Sequence, residues 1–183
     1  MKVLLFLANG FEEIEALSVV DILRRAGVTI STCSIMGQNQ VKGSHNIIVI
    51  ADLNIKDIHE KDYDVFILPG GMPGAKNLKE NRDVIKIIKN AFKEKKLIAA
   101  ICAAPIVLLE AGILKGKNVT SYPGFLDKNG DYNFLEEIIV IDENIITSRG
   151  PATAPYFAFA ILEKLGIDPS PLKESMLYNL LGV

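Results

Sequence analysis

Cysteine and histidine are scarce in this chain of 183 residues, with two of each. Cys33 and Cys102 lie far apart, and neither belongs to a CxxC pair. That argues against a disulfide framework or a zinc site and fits a reducing cytoplasm. Long apolar runs are missing too. The N-terminal stretch from Val3 to Ala8 is broken by Asn9-Gly10 and followed by Glu12-Glu13, too short for a membrane span or a signal-peptide core. No basic stripe stands out, and the run Lys93 to Lys96 reads as a solvated helix end. The formal charge is −2, so neither nucleic acid nor an acidic membrane is expected as a partner. Internal repeats, low-complexity stretches and Pro/Gly/Ser-rich linkers are absent, and one domain over residues 1–183 is expected.

What is present is ordinary globular composition, 49% hydrophobic and 23% charged, with short apolar runs alternating with segments of helical period. Strands are expected over Lys2–Ala8, Val28–Ile35, Asp64–Leu68 and Leu97–Ile101. A strand-like stretch follows at Asn118–Tyr122, with hairpins at Val41–Ile50 and Ile138–Ser148. A helix is expected from Glu12 to Ala26, with Ile14, Leu17, Val20 and Leu23 on its core face and Gly27 ending it. Further helices fit Asp83–Lys95, Ala103–Ala111, Ala152–Leu165 and Leu172–Leu181. This alternation implies an α/β fold, a mostly parallel sheet with helices on both faces. In such sheets the site lies beyond the carboxyl ends of the strands, which selects three loops.

Cys102 occupies one of them, where the apolar run Leu97–Ile101 meets Pro105, a residue suited to the first turn of a helix. A cysteine at such an elbow is either a small core thiol or a nucleophile whose thiolate is favoured by the helix N-terminus. Cys33, inside a strand, reads as a core thiol. The second loop, Pro69-Gly70-Gly71-Met72-Pro73-Gly74, offers backbone N–H groups to an oxyanion, although turns use Gly-Gly for other reasons. It is not a P-loop, since no Gly-Lys-Ser/Thr follows. The third loop carries Glu12 and Glu13, which suit an ordinary helix N-terminus, and Glu15. Buried beside a thiolate, Glu15 would keep its proton and donate a hydrogen bond to the sulfur. No metal or cofactor is expected.

The motifs Leu7-Ala8-Asn9-Gly10-Phe11-Glu12-Glu13-Ile14-Glu15, Asp64-Val65-Phe66-Ile67-Leu68-Pro69-Gly70-Gly71, Ala99-Ala100-Ile101-Cys102-Ala103-Ala104-Pro105 and Thr147-Ser148-Arg149-Gly150-Pro151, with Val20 to Gly27, together resemble the ThiJ/PfpI superfamily. Within it they are closest to the branch of the parkinsonism-associated protein deglycase. The resemblance covers nearly the whole chain and implies a flavodoxin-like three-layer sandwich and a homodimer. It implies Cys102 as nucleophile and Glu15 as its acidic partner, with Gly70, Gly71 and the Ala103 backbone at the oxyanion. Tyr122, Arg25, His45, Gly150 and Pro151 would stand at the pocket rim. Two departures bear on activity. Ala103 stands where protease-like members carry a histidine base, which disfavours a peptidase. Tyr122 takes the place of the deglycase branch's histidine and is a poor base near neutral pH. The expected function is cysteine-dependent chemistry on reactive carbonyls or glycated substrates, of glyoxalase or deglycase type. The alternative is an oxidative-stress sensor or chaperone-like dimer working through Cys102.

Overall fold

A computed structural model describes residues 1–181. Its centre is strand β1 (Lys2–Leu7), followed by helix α1 (Glu13–Arg25) and β2 (Thr29–Ser34). A small antiparallel hairpin, β3 (Gln40–Lys42) and β4 (Ile48–Ile50), comes next, turning at Gly43. Then come β5 (Leu53–Asn54), β6 (Val65–Leu68), α2 (Gly74–Glu80), α3 (Arg82–Lys93), β7 (Leu97–Ile101) and α4 (Pro105–Glu110). The remainder is β8 (Asn118–Val119), β9 (Asn133–Phe134), β10 (Ile139–Asp142), β11 (Ile145–Ser148), α5 (Ala154–Lys164) and α6 (Ser170–Ser175).

Seven strands form one sheet in the order β10-β11-β7-β6-β1-β2-β5, parallel throughout except for the β10–β11 edge pair. The apolar runs are continuous because both faces are covered. In β1, Val3, Leu5 and Leu7 join the core beneath α1 and α5, while Leu4 and Phe6, with Ala8 just after the strand, join the core beneath α2, α3 and α4. β6 and β7 alternate in the same way. The fold is a flavodoxin-like α/β sandwich. No helix among the described residues is long and apolar enough to cross a membrane.

Three expectations need correction. The core face of α1 is Ala16, Val19, Val20, Ile22 and Leu23, whereas Ile14 is 55% exposed. Steps of three drift around a helix of 3.6 residues per turn, so a strict three-residue repeat cannot stay on one face. Of Asn118–Tyr122, only Asn118–Val119 pairs as a strand, because the Tyr122 N–H turns away to bond the Cys102 carbonyl (2.9 Å). The final helix stops at Ser175, and a short 3-10 turn, Tyr178–Leu181, follows Leu177, whose φ is 57°.

Candidate active site

The ends of β1, β6 and β7 bring three loops together, and Gly70 lies between their side chains. A Cβ added there would stand 2.7 Å from both the Cys102 Cβ and the Glu15 Oε2, and 2.9 Å from the Ala103 nitrogen. Only a residue without a side chain lets the thiol and the carboxyl share this space. Gly71, at φ 85°, has the Glu12 nitrogen and the Gly10 carbonyl as close neighbours, and the Glu12 N–H donates to the Gly70 carbonyl (2.9 Å). The glycine pair thus pins the start of α1 to the end of β6.

Cys102 follows β7 directly with φ 63°, a left-handed conformation rare for a residue with a side chain. Its N–H donates to the Ser148 carbonyl (2.9 Å), and its own carbonyl accepts from Tyr122. These two bonds hold the turn from both sides. The residue is 8% exposed.

Glu15 is fully buried. Its Oε2 accepts the Gly70 N–H (2.8 Å), while Oε1 has no hydrogen-bond partner among the described residues. Burial pushes its carboxyl up to about 7, against the opposing effects of the Cys102 thiol and the Gly70 N–H. The thiol moves against expectation. Burial, then the Glu15 charge, push Cys102 up to about 12, despite the Gly71 and Ala103 N–H groups that favour thiolate. The helix following Cys102 begins only at Pro105, so the cysteine lies outside its first turn. Thiol and carboxyl therefore titrate as one unit, and a thiolate is favoured only while Glu15 holds the proton. Cys33, buried and close to the Asp57 charge, is likewise pushed up to about 12.

Glu12 and Glu13 do more than end a helix. Glu13 is buried, accepts the His45 N–H (2.8 Å) and meets the His45 Nδ1 (2.9 Å). The Ser44 hydroxyl lies 3.1 Å from both carboxylates. Burial alone would raise Glu13, but these hydrogen bonds outweigh it and hold the carboxyl near 2. His45 is raised in turn, first by the Glu13 hydrogen bond and then by the Glu12 and Glu13 charges. Glu12, Glu13 and His45 bring metal-capable atoms within 4.8 Å of one another. Each of those three residues is engaged by Ser44 or by its neighbours in the group. Ser44 is the residue that sequence reasoning missed. It is one of many serines in turns, and only the return of the β3–β4 hairpin onto α1 marks it.

Other rim residues are spread out. The Tyr122 ring packs 3.2 Å from where a Gly150 Cβ would stand and edge-on to Phe125. Pro151 begins a short 3-10 turn directly after Gly150. Arg25 sits at the opposite end of α1 from Glu15, about 15 Å away at 1.5 Å per residue, and pairs with Asp21. Within one chain it does not reach the thiol.

A family model described as the DJ-1/PfpI family matches residues 1–164. The chain belongs to the DJ-1/PfpI family. It is similar to the Parkinson disease protein 7 homolog of Danio rerio, 42% identical over 90% of this chain and 89% of that one. It is 37% identical to the glutathione-independent glyoxalase DJR-1.2 of Caenorhabditis elegans over 84% of this chain and 82% of that one. The solved structure of oxidized Toxoplasma gondii DJ-1 superposes with a TM-score of 0.91 at 36% identity, covering 96% of this chain and 97% of that one. Two Arabidopsis thaliana relatives are longer, and the chain spans only 37% and 42% of their lengths.

Proposed function

We propose that this DJ-1/PfpI protein converts small reactive carbonyls, with methylglyoxal as the simplest, through Cys102 and Glu15. The observation that carries the reading is the buried carboxyl poised near neutral pH against the only thiol placed at the strand ends. Glu15 as carboxylate takes the Cys102 proton as sulfur adds to the aldehyde carbon, the carbonyl electron pair moves to oxygen, and Glu15 passes that proton to the oxygen to make a hemithioacetal. The Glu15 carboxylate then takes the carbon-bound hydrogen as a proton and returns it to the neighbouring carbon, while the hemithioacetal hydroxyl proton moves to the former ketone oxygen, leaving a thioester. Water hydrolyses the thioester, releasing the hydroxy acid and regenerating the thiol. The N–H groups of Gly71 and Ala103, which lie against the Cys102 sulfur, would stabilise negative charge that develops beside it. The relative named a glutathione-independent glyoxalase supports the same class of chemistry. Peptidase action is disfavoured, since Ala103 supplies no base. Lactate formation from methylglyoxal tests the reading: wild type is expected to be active and Cys102→Ala to lose all turnover. Equal rates in the two proteins sink it.

A second reading has one observation of its own. The same N–H groups and a protonated Glu15 suit a sulfinate at Cys102, and a close structural relative is described as oxidized. Under graded peroxide, intact mass is expected to show two oxygens on Cys102 and none on the buried Cys33. Equal oxidation of both refutes it. On either reading a homodimer, carried by the resemblance and compatible with the exposed Ile14 on α1, would be the working form.

A further inference from the structure

Glu13 is a buried carboxylate that the carbonyl chemistry leaves unused. Three donors from the turn of the β3–β4 hairpin converge on it. The His45 N–H donates to Oε1 (2.8 Å), while the Ser44 hydroxyl (3.1 Å) and the His45 Nδ1 (2.9 Å) meet Oε2. Gly43 makes room for this, since a Cβ there would collide with the same carboxylate. Backbone bonds run alongside. The Gly10 N–H donates to the Lys42 carbonyl (2.7 Å) and the Ser44 N–H to the Phe11 carbonyl (2.8 Å).

On a helix, residues two apart point roughly 200° from each other, so Glu13 and Glu15 leave α1 on opposite sides. The first turn of α1 is therefore gripped twice. On one side stands Gly70, whose carbonyl accepts the Glu12 N–H (2.9 Å) and whose N–H donates to Glu15 (2.8 Å). On the other stands the hairpin turn. The N-cap residue Glu12 makes no side-chain cap bond of its own, so the start of the helix is located by these outside ties. Where Glu15 meets Cys102 depends on both.

We infer that the hairpin turn is a positioning clasp for the Cys102–Glu15 pair: His45 holds Glu13, and Glu13 holds the helix start that delivers Glu15. His45 is thus a positioning residue, acting through Glu13 rather than on the reacting atoms. The inference rests on the Cys102–Glu15 pairing of the carbonyl reading, but it can be read on the thiol without any turnover.

His45→Ala compared with His45→Asn tests it, at a side chain that is exposed. The Asn Nδ2 reaches where the His Nδ1 does and still donates to Glu13, but carries no charge. Alkylation of Cys102 by iodoacetamide is followed by mass across pH, with lactate formation from methylglyoxal beside it. In His45→Ala, Glu15 is no longer pinned against the thiol, and its contribution to the raised thiol pKa weakens. Alkylation is then expected to begin about 0.5 pH unit lower or more. Turnover is expected to fall about tenfold in kcat with KM little changed, the scale of one hydrogen bond to a charged group. His45→Asn is expected to restore both. Loss of the His45 charge alone would instead move alkylation to higher pH, and equally in the two variants. A contact that only adds stability would leave the folded thiol where it is. Either of these outcomes overturns the inference. Should wild type form no lactate, the carbonyl reading falls, and the alkylation shift still decides for or against the clasp.

Discussion

Replacing Glu15 by glutamine is expected to remove carbonyl turnover and, with it, a loss of stability that the wild type shows as pH rises toward neutrality. The carboxyl's ordinary value of 4.5 is raised to about 7 in the folded chain. Between those values the unfolded chain has released the proton while the folded chain still holds it, so raising the pH favours unfolding. One pKa unit corresponds to about 1.4 kcal/mol, which puts the loss on the order of 2–3 kcal/mol across that window. Glutamine keeps an oxygen for the Gly70 N–H but has nothing to ionise, so its denaturation midpoint should be flat over the same range. Turnover should fall roughly 10²–10⁴-fold, the usual contribution of a positioned acid–base group. The thiol should respond in the opposite sense from the activity. Without the Glu15 charge one cause of its raised pKa disappears, and alkylation of Cys102 should begin at lower pH than in wild type. A variant with full turnover, or one whose thiol ionises at higher pH, would overturn the pairing of these two groups.

Alanine at position 70 and alanine at position 71 are expected to fail in different ways. At Gly70 the added methyl meets the Cys102 Cβ, the Glu15 carboxylate and the Ala103 nitrogen at under 3 Å. Overpacking of this kind costs roughly 1–3 kcal/mol, and separating thiol from carboxyl should cut turnover about 10²-fold. At Gly71 the methyl meets backbone at 2.3 Å and 2.5 Å, and φ is 85°. Left-handed strain adds about 1–2 kcal/mol to the clash, so this variant should lose stability first. Urea midpoints and lactate formation, measured on both, separate the two outcomes. Wild-type turnover in Gly70→Ala would show that the two side chains need not meet there.

Much of this was legible in the residues. β1, β6 and β7 announce themselves because a strand covered on both faces is apolar at every position, and Leu97–Ile101 passing into Pro105 marks the elbow. The three loops follow from strand polarity alone. α2 was missed, since Gly74–Glu80 carries too few apolar residues to show a period. The direction of the Cys102 shift was misread for a different reason. Local sequence displays the helix after the cysteine and offers Glu15 as its partner, but not the depth of burial that raises the thiol first and the Glu15 charge second. The same applies to Glu13, whose burial depends on the hairpin carrying Ser44 and His45.

The backbone at Cys102 has a bearing on how such a chain drifts under mutation. A left-handed φ on a residue with a side chain is held at a cost on the order of 1–3 kcal/mol by its surroundings, and glycine would relieve it at once. Chance substitution therefore has a stabilising exit at this position that selection for folding alone would reward. A chain that keeps sulfur there, at a φ of 63°, forgoes that exit, so Cys102→Gly is expected to lose carbonyl turnover while keeping its urea midpoint close to that of wild type.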